Sequence, residues 1–318
     1  MSGHGFSSMF AEDLEAYLVF KTSMGCYGAS RIWYLTQFDR YCAEKALENL
    51  DRATVEGWVT FQQSAQPHSR SWMSYIRDFG RWARTNGNQN AYVLSDQWKA
   101  GFVRAQPYLL ADAEIRLFFQ NAEQVGASSP WKWQAHAFFG LMHSCGLRTG
   151  EVRHLTPRDV HLDDGVIEVL GGKGHRDRRL PLTGEVLDLL NECNTRSSRA
   201  FAGDRATFFV TSSGKPVLPT AVGVIFNRIW DQAGLRRESG GKRPRPYDFR
   251  HHFAYANLER WMANGIDVNA MLPYLARYMG HASLESTYYY VHTSPDFMNS
   301  YADITRDGEM LLPEVGFL

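Results

Sequence analysis

The segment from 164 to 182, DGVIEVLGGKGHRDRRLPL, limits the fold of this chain more than any other. Val166, Glu168 and Leu170 alternate with apolar neighbours, glycines follow, and a second short run closes at Leu182. Such a pattern on both sides of a glycine turn is typical of two antiparallel strands. Elsewhere, apolar residues recur mostly at helical spacing. The sequence therefore predicts a mainly α protein with one small β-hairpin or sheet.

The chain divides into two predicted domains. The stretches from Ile32 to Tyr41 and from Trp72 to Trp82 carry apolar residues at the spacing of amphipathic helices. A linker rich in Asn and Gly follows, and a new helix with Asp112 as its N-cap begins beyond it. We predict a helical domain over residues 1–107, linker included, and a second domain over 108–318, which contains the hairpin.

Acidic and basic residues are balanced, with 34 of each, so composition alone does not indicate a nucleic-acid partner. Basic residues are nevertheless concentrated in two short segments, 172–179 and 236–252. A local basic surface can bind phosphate even on a neutral protein, although such runs are often only solvated loops. The arginines of the helical domain also have two interpretations. They can contact the DNA backbone, or they can lie on the solvent-exposed face of a plain helical bundle. They are Arg70, Arg77, Arg81 and Arg84.

Composition argues against several other classes of protein. The four cysteines are scattered without CxxC spacing, which argues against a zinc site or a disulfide framework and for a reducing cytoplasm. No apolar run reaches the ~18 residues that a membrane helix needs. The start of the chain also lacks the basic and then apolar pattern of a secretory signal. We expect a cytoplasmic protein with no metal site and no membrane partner.

Two segments of the second domain carry polar residues that packing does not require. In CGLRTGE, Arg148 stands at a corner before a helix predicted to begin near Thr149, where its guanidinium can bind a phosphate bidentately. Glu151 can orient a neighbouring side chain, or it can pair with Arg148 and stabilise the corner. Lys173 at the hairpin tip can reach into a groove, although GGKG lacks the spacing of a nucleotide-binding loop.

Two later segments add a second arginine and a cluster of tyrosines. In RPYDFRHH, Asp248 can cap a helix, and Arg250 then falls in its first turn, where the helix dipole favours an anion. His251 and His252 are adjacent on that helix and do not converge, so they do not predict a metal site. In LESTYYYV, successive side chains point about 100° apart, so at most one of the tyrosines at 288–290 aims into a given site.

Four motifs in this order, GLRTGE, LGGKGHRDR, YDFRHHFA and YMGHASLESTYYYVH, resemble the tyrosine recombinase (phage integrase) family. That family has an arginine in a G-L-R-x-x-E corner, a lysine on a β-hairpin, an H-x-L-R-H motif, and a tyrosine nine residues beyond the histidine of L-G-H. Counting from His281, the ninth residue is Tyr290. Tyr247 departs from the pattern, because the family has a histidine there. The last motif and the residues before it are most similar to recombinases of transposons and integrated elements.

The resemblance implies a SAM-like helical core-binding domain and a mixed α/β catalytic domain that together form a C-shaped clamp on DNA. It implies that Tyr290 attacks a phosphodiester and expels the 5′-hydroxyl, which leaves a 3′-phosphotyrosyl link. No cofactor and no metal are implied, since two guanidinium groups can replace a divalent ion electrostatically. The residues implied to surround the phosphate are Arg148, Lys173, Arg250, His281 and Tyr247, with Glu151 holding their geometry.

Each implied role has a chemical reason. The two arginines would neutralise the charge of the transition state, Lys173 would protonate the leaving oxygen, and His281 would donate a hydrogen bond to the phosphate. Tyr247 is a poor proton acceptor at neutral pH, since the reference pKa of a phenol is ~10. Tyr290 must also lose its proton, so the site must either lower its pKa, which the arginines would do, or take the proton during attack. With Tyr247 in place of a histidine, we favour the lowered pKa.

The resemblance further implies recombination of double-stranded DNA by a homo-tetramer on two sites, with an accessory DNA-bending protein as a further partner. The recombination would take place at the nucleoid of a prokaryotic cell, and the protein would belong to the prokaryote, a phage or a mobile element. It would integrate or excise a mobile element. The carboxy-terminal tail either packs on its own domain or docks on a neighbouring protomer. The predicted DNA contacts are Arg70, Arg77, Arg81, Arg84, Arg176, Arg178 and Arg243.

Two other functions stay open. A type IB topoisomerase shares this chemistry and relaxes supercoils without exchanging strands between sites, but the helical first domain and the mobile-element motifs favour recombination. A DNA-binding regulator that has lost catalysis is suggested only by Tyr247. The presence of the other implied residues argues against it. These are Arg148, Lys173, Arg250, His281 and Tyr290.

Overall fold

The chain forms two compact units, Met1–Arg104 and Ala105–Leu318, each with apolar clusters of its own. The computed structural model describes residues 4–25, 28–66, 70–98, 107–126, 128–171, 177–201, 205–235 and 243–291. None of the helices in these ranges combines the length and the apolar character that a membrane span requires.

The described part of the amino-terminal unit is helical. Its helices are α1 (Ala11–Ser23), α2 (Ala29–Glu44), α3 (Arg52–Ala65) and α4 (Met73–Thr85), followed by a 3-10 turn at Asp96–Trp98. Buried aromatic rings fill its centre, where Trp58 contacts Phe38 and Trp72 edge to face with centroids 5.4 and 5.0 Å apart. Edge-to-face pairs of this kind stabilise a core beyond the area they bury.

The second unit combines a small sheet with further helices. The helices are α5 (Asp112–Ala122), α6 (Trp131–Ser144), α7 (Thr149–His154), α8 (Gly184–Ala200), α9 (Pro219–Gln232), α10 (Asp248–Ala263), α11 (Val268–Met279) and α12 (Glu285–Val291). The strands are β1 (Val160–His161), β2 (Val166–Val169) and β3 (Arg178–Pro181). A 3-10 turn at Pro157–Asp159 precedes the first strand.

The three strands form one antiparallel sheet in the order β1-β2-β3. Ile167 lies opposite Leu180, and both are buried, whereas the neighbouring pair Glu168 and Arg179 forms an ion pair at 3.1 Å. The prediction of a mainly α protein with a small sheet is confirmed. The short strand β1 gave no alternating signal because it spans only two residues.

Helix α10 lies between two apolar clusters. Phe249 packs against Phe118 in the larger cluster, with ring centroids 5.1 Å apart. Tyr255 and Leu258, further along, pack with residues of α11 and α12. Arg250 follows Phe249 directly and is fully buried. The helix therefore carries a guanidinium group into the interior, which fixes where the site can form.

Two predicted helix caps are wrong. Asp112 and Asp248 are each the first residue of a helix rather than the residue before it. Before α5, the backbone N–H of Ala111 donates to the Glu114 carboxylate at 2.9 Å. Asp248 instead accepts the backbone N–H of Arg245 at 2.6 Å. Asp112 and Asp248 still lie in the first turn of their helices, where a negative charge complements the helix dipole.

Candidate active site

Arg148 is fixed at the corner that precedes α7. Gly146 has φ +60°, and a side chain there would meet Phe253, so the tight corner requires glycine. The Glu151 carboxylate accepts the backbone N–H of Arg148 at 2.9 Å and its Nη1 at 2.7 Å. Nη2 of Arg148 donates to the carbonyl of Gly280 at 2.9 Å. The guanidinium is thus held in one orientation from two sides.

Arg250 joins the same two parts of the chain. Its Nη1 donates to the carbonyl of Gly146 and its Nη2 to the carbonyl of Met279, the latter at 2.7 Å. Its Nη1 also lies 4.0 Å from the Glu151 carboxylate. Burial lowers the pKa of Arg250, and the positive charge of Arg148 acts in the same direction. Two like charges are therefore held close together, which favours binding of an anion.

His281 follows directly after the left-handed residue that ends α11, Gly280, with φ 66° and ψ 45°. Its Nδ1 lies 2.7 Å from Thr287 Oγ1, and its ring stacks on Tyr290 with centroids 6.1 Å apart. Burial lowers the pKa of His281 to about 3, and the charges of Arg250 and nearby arginines add to this effect. The imidazole is therefore neutral at pH 7 and can donate one N–H.

Of the three consecutive tyrosines, Tyr290 alone is buried, with 2% of its surface exposed. Its ring contacts Tyr255 and Tyr289 at centroid distances of 5.4 and 5.6 Å. Burial raises its pKa above the usual range, and the charge of Arg250 only partly offsets this. The expectation that the arginines lower this pKa is therefore wrong for the described conformation, because desolvation of the phenolate outweighs their attraction.

Arg178 belongs to this site, although it was predicted to contact DNA. Its Nη1 and Nη2 donate to the two oxygens of Glu151 at 3.1 and 2.8 Å, and its side chain is only 8% exposed. Burial would raise the pKa of Glu151, but hydrogen bonds and charges from Arg178 and Arg148 keep it below the usual range. The correction follows from strand geometry, since Arg178 shares the inward face of β3 with Leu180.

His251 is a second residue that the sequence did not assign to the site. It is buried on α10, and its ring meets those of Tyr247 and Tyr290 edge to face. Tyr247 itself is 37% exposed, at the start of the same helix. Adjacent histidines do diverge as predicted, because His252 stacks instead on His143 at 5.2 Å. The missed signal was the four-residue spacing of positions 247 and 251, which puts them on one helix face.

A recess opens beside Arg148. It has a volume of about 370 Å³ and runs from Arg148 and Glu151 to Gly171, the last described residue before the hairpin turn. Lys173 and Arg176 lie outside the described residues, so their predicted roles are carried forward as predictions. The recess therefore extends from Arg148 to Gly171, which precedes the predicted lysine by two positions in the sequence.

The predicted DNA contacts outside this site fall into different environments. Arg77 is 6% exposed, and it donates to the carbonyls of Leu94 and Ser95 at 2.8 and 3.1 Å. The prediction for Arg77 is therefore wrong, because its guanidinium is used inside the helical unit. Nη2 of Arg243 donates a hydrogen bond to the Asp231 carboxylate, and its predicted contact with DNA stays a prediction. The exposed arginines, whose contact with DNA stays a prediction, are Arg70, Arg81 and Arg84.

Comparisons with known proteins point to one family. The model of the phage integrase family matches residues 109–296. The Sinorhizobium fredii protein y4rE, whose name describes an integrase/recombinase, is 27% identical over 301 residues, or 94% of this chain and 96% of its own. Tyrosine recombinase XerD of Ralstonia nicotianae is 27% identical over 190 residues, 59% of this chain and 56% of its own. In fold, the Tn1549 transposon integrase in complex with transposon right end DNA matches with a TM-score of 0.62 at 15% identity, over 92% of this chain and 98% of its own.

The fold and these similarities define a tyrosine-type site-specific DNA recombinase. The chain belongs to the phage integrase family, whose model spans more than half of it. The expectation drawn from the four ordered motifs is confirmed at the level of family, fold and enzyme class.

Proposed function

We propose that this recombinase cuts and rejoins double-stranded DNA through a 3′-phosphotyrosyl link on Tyr290. One observation carries the proposal. Arg148 and Arg250 donate to the adjacent carbonyls of Gly280 and Met279, and the residue that follows, His281, stacks on the Tyr290 ring. Two cations, a neutral hydrogen-bond donor and a nucleophile thus share one small volume.

The other residues have complementary tasks in this proposal. The guanidinium groups of Arg148 and Arg250 hold the non-bridging oxygens, which stabilises the charge of the pentavalent transition state. Lys173 protonates the leaving 5′-oxygen. His281 donates a hydrogen bond to the phosphate, and Tyr247 adds a weaker one. The link conserves the energy of the phosphodiester, so rejoining needs no cofactor.

The nucleophile must move before it reacts. Tyr290 is buried on the short helix α12, and its raised pKa favours the neutral phenol. DNA binding would shift α12 only far enough to expose the phenol oxygen to the phosphate, so that the ring stays beside Arg250 and His251. A residue that is inert when buried and reactive when exposed avoids cutting DNA outside an assembled complex.

The proposal extends to the partners. Recombination joins two duplexes, so a homo-tetramer on two DNA sites fits the chemistry, and an accessory DNA-bending protein would assist its assembly. The similarity to y4rE along nearly the whole chain, and to the fold of a transposon integrase, supports integration or excision of a mobile element in the cytoplasm. The clamp formed by both units around DNA stays a prediction.

The test uses nicked, labelled duplexes that tile the DNA flanking the gene. A nick close to the cleavage position makes the piece that carries the freed 5′-hydroxyl short enough to diffuse away. Rejoining is then impossible, and an active enzyme is trapped as a covalent adduct. The unaltered protein should form this adduct, Tyr290→Phe should form none, and Tyr289→Phe, one residue away, should retain it. An adduct formed by Tyr290→Phe would overturn the proposal. Relaxation of supercoils without strand exchange between two sites would favour a topoisomerase.

A further inference from the structure

The imidazole of His251 is buried between two tyrosine rings. Its ring centroid lies 4.9 Å from that of Tyr247 and 5.5 Å from that of Tyr290. Its Nδ1 atom is buried and has no hydrogen-bond partner within the ranges that the structure describes. Buried polar atoms are nearly always hydrogen-bonded, and each exception calls for an explanation, of which a catalytic role is one. An unsatisfied imidazole nitrogen beside the nucleophile is such an exception.

We propose that His251 accepts the phenolic proton of Tyr290 during attack on DNA, an inference that rests on the proposed function above. Position 247 holds a tyrosine, whose phenol is a poor acceptor at neutral pH. His251 lies four residues further along, on the same face of α10, so its ring reaches the same place. The chain thus supplies a base from the next turn of the helix.

The step balances without any further reactant. The bond from Tyr290 Oη to phosphorus forms while its proton moves to the His251 imidazole. The bond from phosphorus to the 5′-oxygen breaks, and that oxygen takes a proton from Lys173. On rejoining, an incoming 5′-hydroxyl returns its proton to Lys173 and attacks phosphorus. The phenolate that leaves regains its proton from the imidazolium.

The surroundings of His251 keep it ready to accept a proton. Burial is the main cause that lowers its pKa to about 4, Asp248 opposes this change, and Arg245 and Arg250 add to it. The imidazole is therefore neutral at pH 7, while the negative charge of a bound phosphodiester would favour its protonated form. The other groups that face the ring are the phenols of Tyr247, Tyr289 and Tyr290.

His281, the other histidine in contact with Tyr290, is the weaker candidate for this task. Burial lowers its pKa to about 3, three arginines add to this effect, and the Glu151 carboxylate only partly opposes it. Its Nδ1 already contacts Thr287 Oγ1 at 2.7 Å. An added proton on His281 would lie beside the two guanidinium groups that grip the phosphate. Its position suits a hydrogen-bond donor, whereas that of His251 suits a proton acceptor.

The first test measures single-turnover adduct formation on the nicked duplexes. His251→Gln keeps a polar side chain of similar size but cannot take a proton, so cleavage should slow by about a hundredfold or more. His252→Gln, the matched control on the same helix, should stay within a few-fold of the unaltered enzyme. Adding Tyr247→His to the His251→Gln variant should raise its cleavage rate at least tenfold, since position 247 then holds a histidine, as in the family motif.

The second test separates proton acceptance from proton donation. A 5′-bridging phosphorothiolate has a leaving group that needs no acid. Lys173→Ala should therefore regain cleavage on this substrate, whereas His251→Gln should not. Cleavage by His251→Gln at the rate of the unaltered enzyme, or its full rescue by the phosphorothiolate, would overturn the inference. Absence of any adduct with the unaltered enzyme would instead overturn the proposed function.

A pH profile keeps the inference testable even if His251→Gln does not fold. The unaltered enzyme should lose cleavage tenfold per pH unit below the pKa of His251 in the DNA complex, because the base must be neutral. DNA binding measured in parallel should not follow the same curve. A cleavage rate that is flat from pH 7 down to the limit of folding would overturn the role of His251.

Discussion

Arg148 and Arg250 donate hydrogen bonds to consecutive backbone carbonyls, those of Gly280 and Met279, at 2.9 and 2.7 Å. The end of α11 therefore acts as a template that sets the spacing of the two guanidinium groups. Because His281 comes next in the chain, the same turn also places the imidazole against Tyr290. Positioning of this kind is what phosphoryl transfer chiefly requires from a protein.

Arg250→Lys should abolish most activity although the charge is kept. A lysine cannot donate to the carbonyls of Gly146 and Met279 at once, and loss of a transition-state donor costs about a hundred- to a thousandfold in rate. Adduct formation on nicked DNA measures this. Arg260→Lys, an exposed position on the same helix, is the control and should be neutral. Equal rates for both variants would contradict the role of Arg250.

Glu151→Gln should destabilise the fold in a pH-dependent way. The carboxylate is 6% exposed between Arg148 and Arg178, and removing one partner of a buried ion pair costs about 3 kcal/mol. Because the folded pKa of Glu151 is depressed, its contribution is present above the unfolded value and is lost as pH falls through the folded one. Thermal unfolding should show a large difference from the unaltered protein at pH 7 that shrinks below about pH 4. A difference that is constant with pH would argue against this carboxylate as the source.

Gly280→Ala should cost both stability and activity. The residue has φ +66°, and a Cβ there would lie 2.9 Å from Nη1 of Arg178. Gly265→Ala is a matched control, because it has the same φ with nothing within 4 Å of the added atom. In both variants the free energy of unfolding should fall by about 1–2 kcal/mol, because alanine is strained in the left-handed backbone conformation. Denaturant unfolding measures this. Only Gly280→Ala should also slow adduct formation, and identical behaviour of the two would count against the crowding of Arg178.

Arg77→Gln should affect folding rather than DNA binding. Its guanidinium donates to two backbone carbonyls inside the helical unit, and leaving such groups unpaired costs about 1–3 kcal/mol each. Arg81→Gln, on the same helix but exposed, should leave stability nearly unchanged and reduce the salt dependence of DNA binding. Binding titrations at several salt concentrations test this. A weaker salt dependence for Arg77→Gln at unchanged stability would contradict the burial of this side chain.

Local patterns predicted the parts of the structure that depend on local physics. Alternation around Val166 and the glycines after it indicated the hairpin, and the corner at Arg148 indicated the start of α7. The order of the motifs indicated the family, because the spacing from His281 to Tyr290 is a property of the chain itself. Arg148, Arg250 and His281 were therefore found without knowledge of how the helices pack.

What the sequence could not supply depends on burial. Arg77 and Arg178 look like any surface arginine until the fold shows that both point inward. The pKa of Tyr290 was expected to fall, since the sequence shows the arginines but not the desolvation that outweighs them. His251 was set aside as one of two diverging histidines, and only the packing of α10 against α12 brings it into contact with Tyr290.

The most direct test of the central claim identifies the amino acid that becomes linked to DNA. The trapped adduct is digested with nuclease and protease, and the peptide that carries the remaining nucleotide is sequenced by mass spectrometry. The account predicts a nucleotide joined through its 3′-phosphate to Tyr290, and no adduct when Arg148 or Arg250 is replaced by alanine. A link to Tyr288 or Tyr289, or undiminished linkage without either arginine, would contradict it.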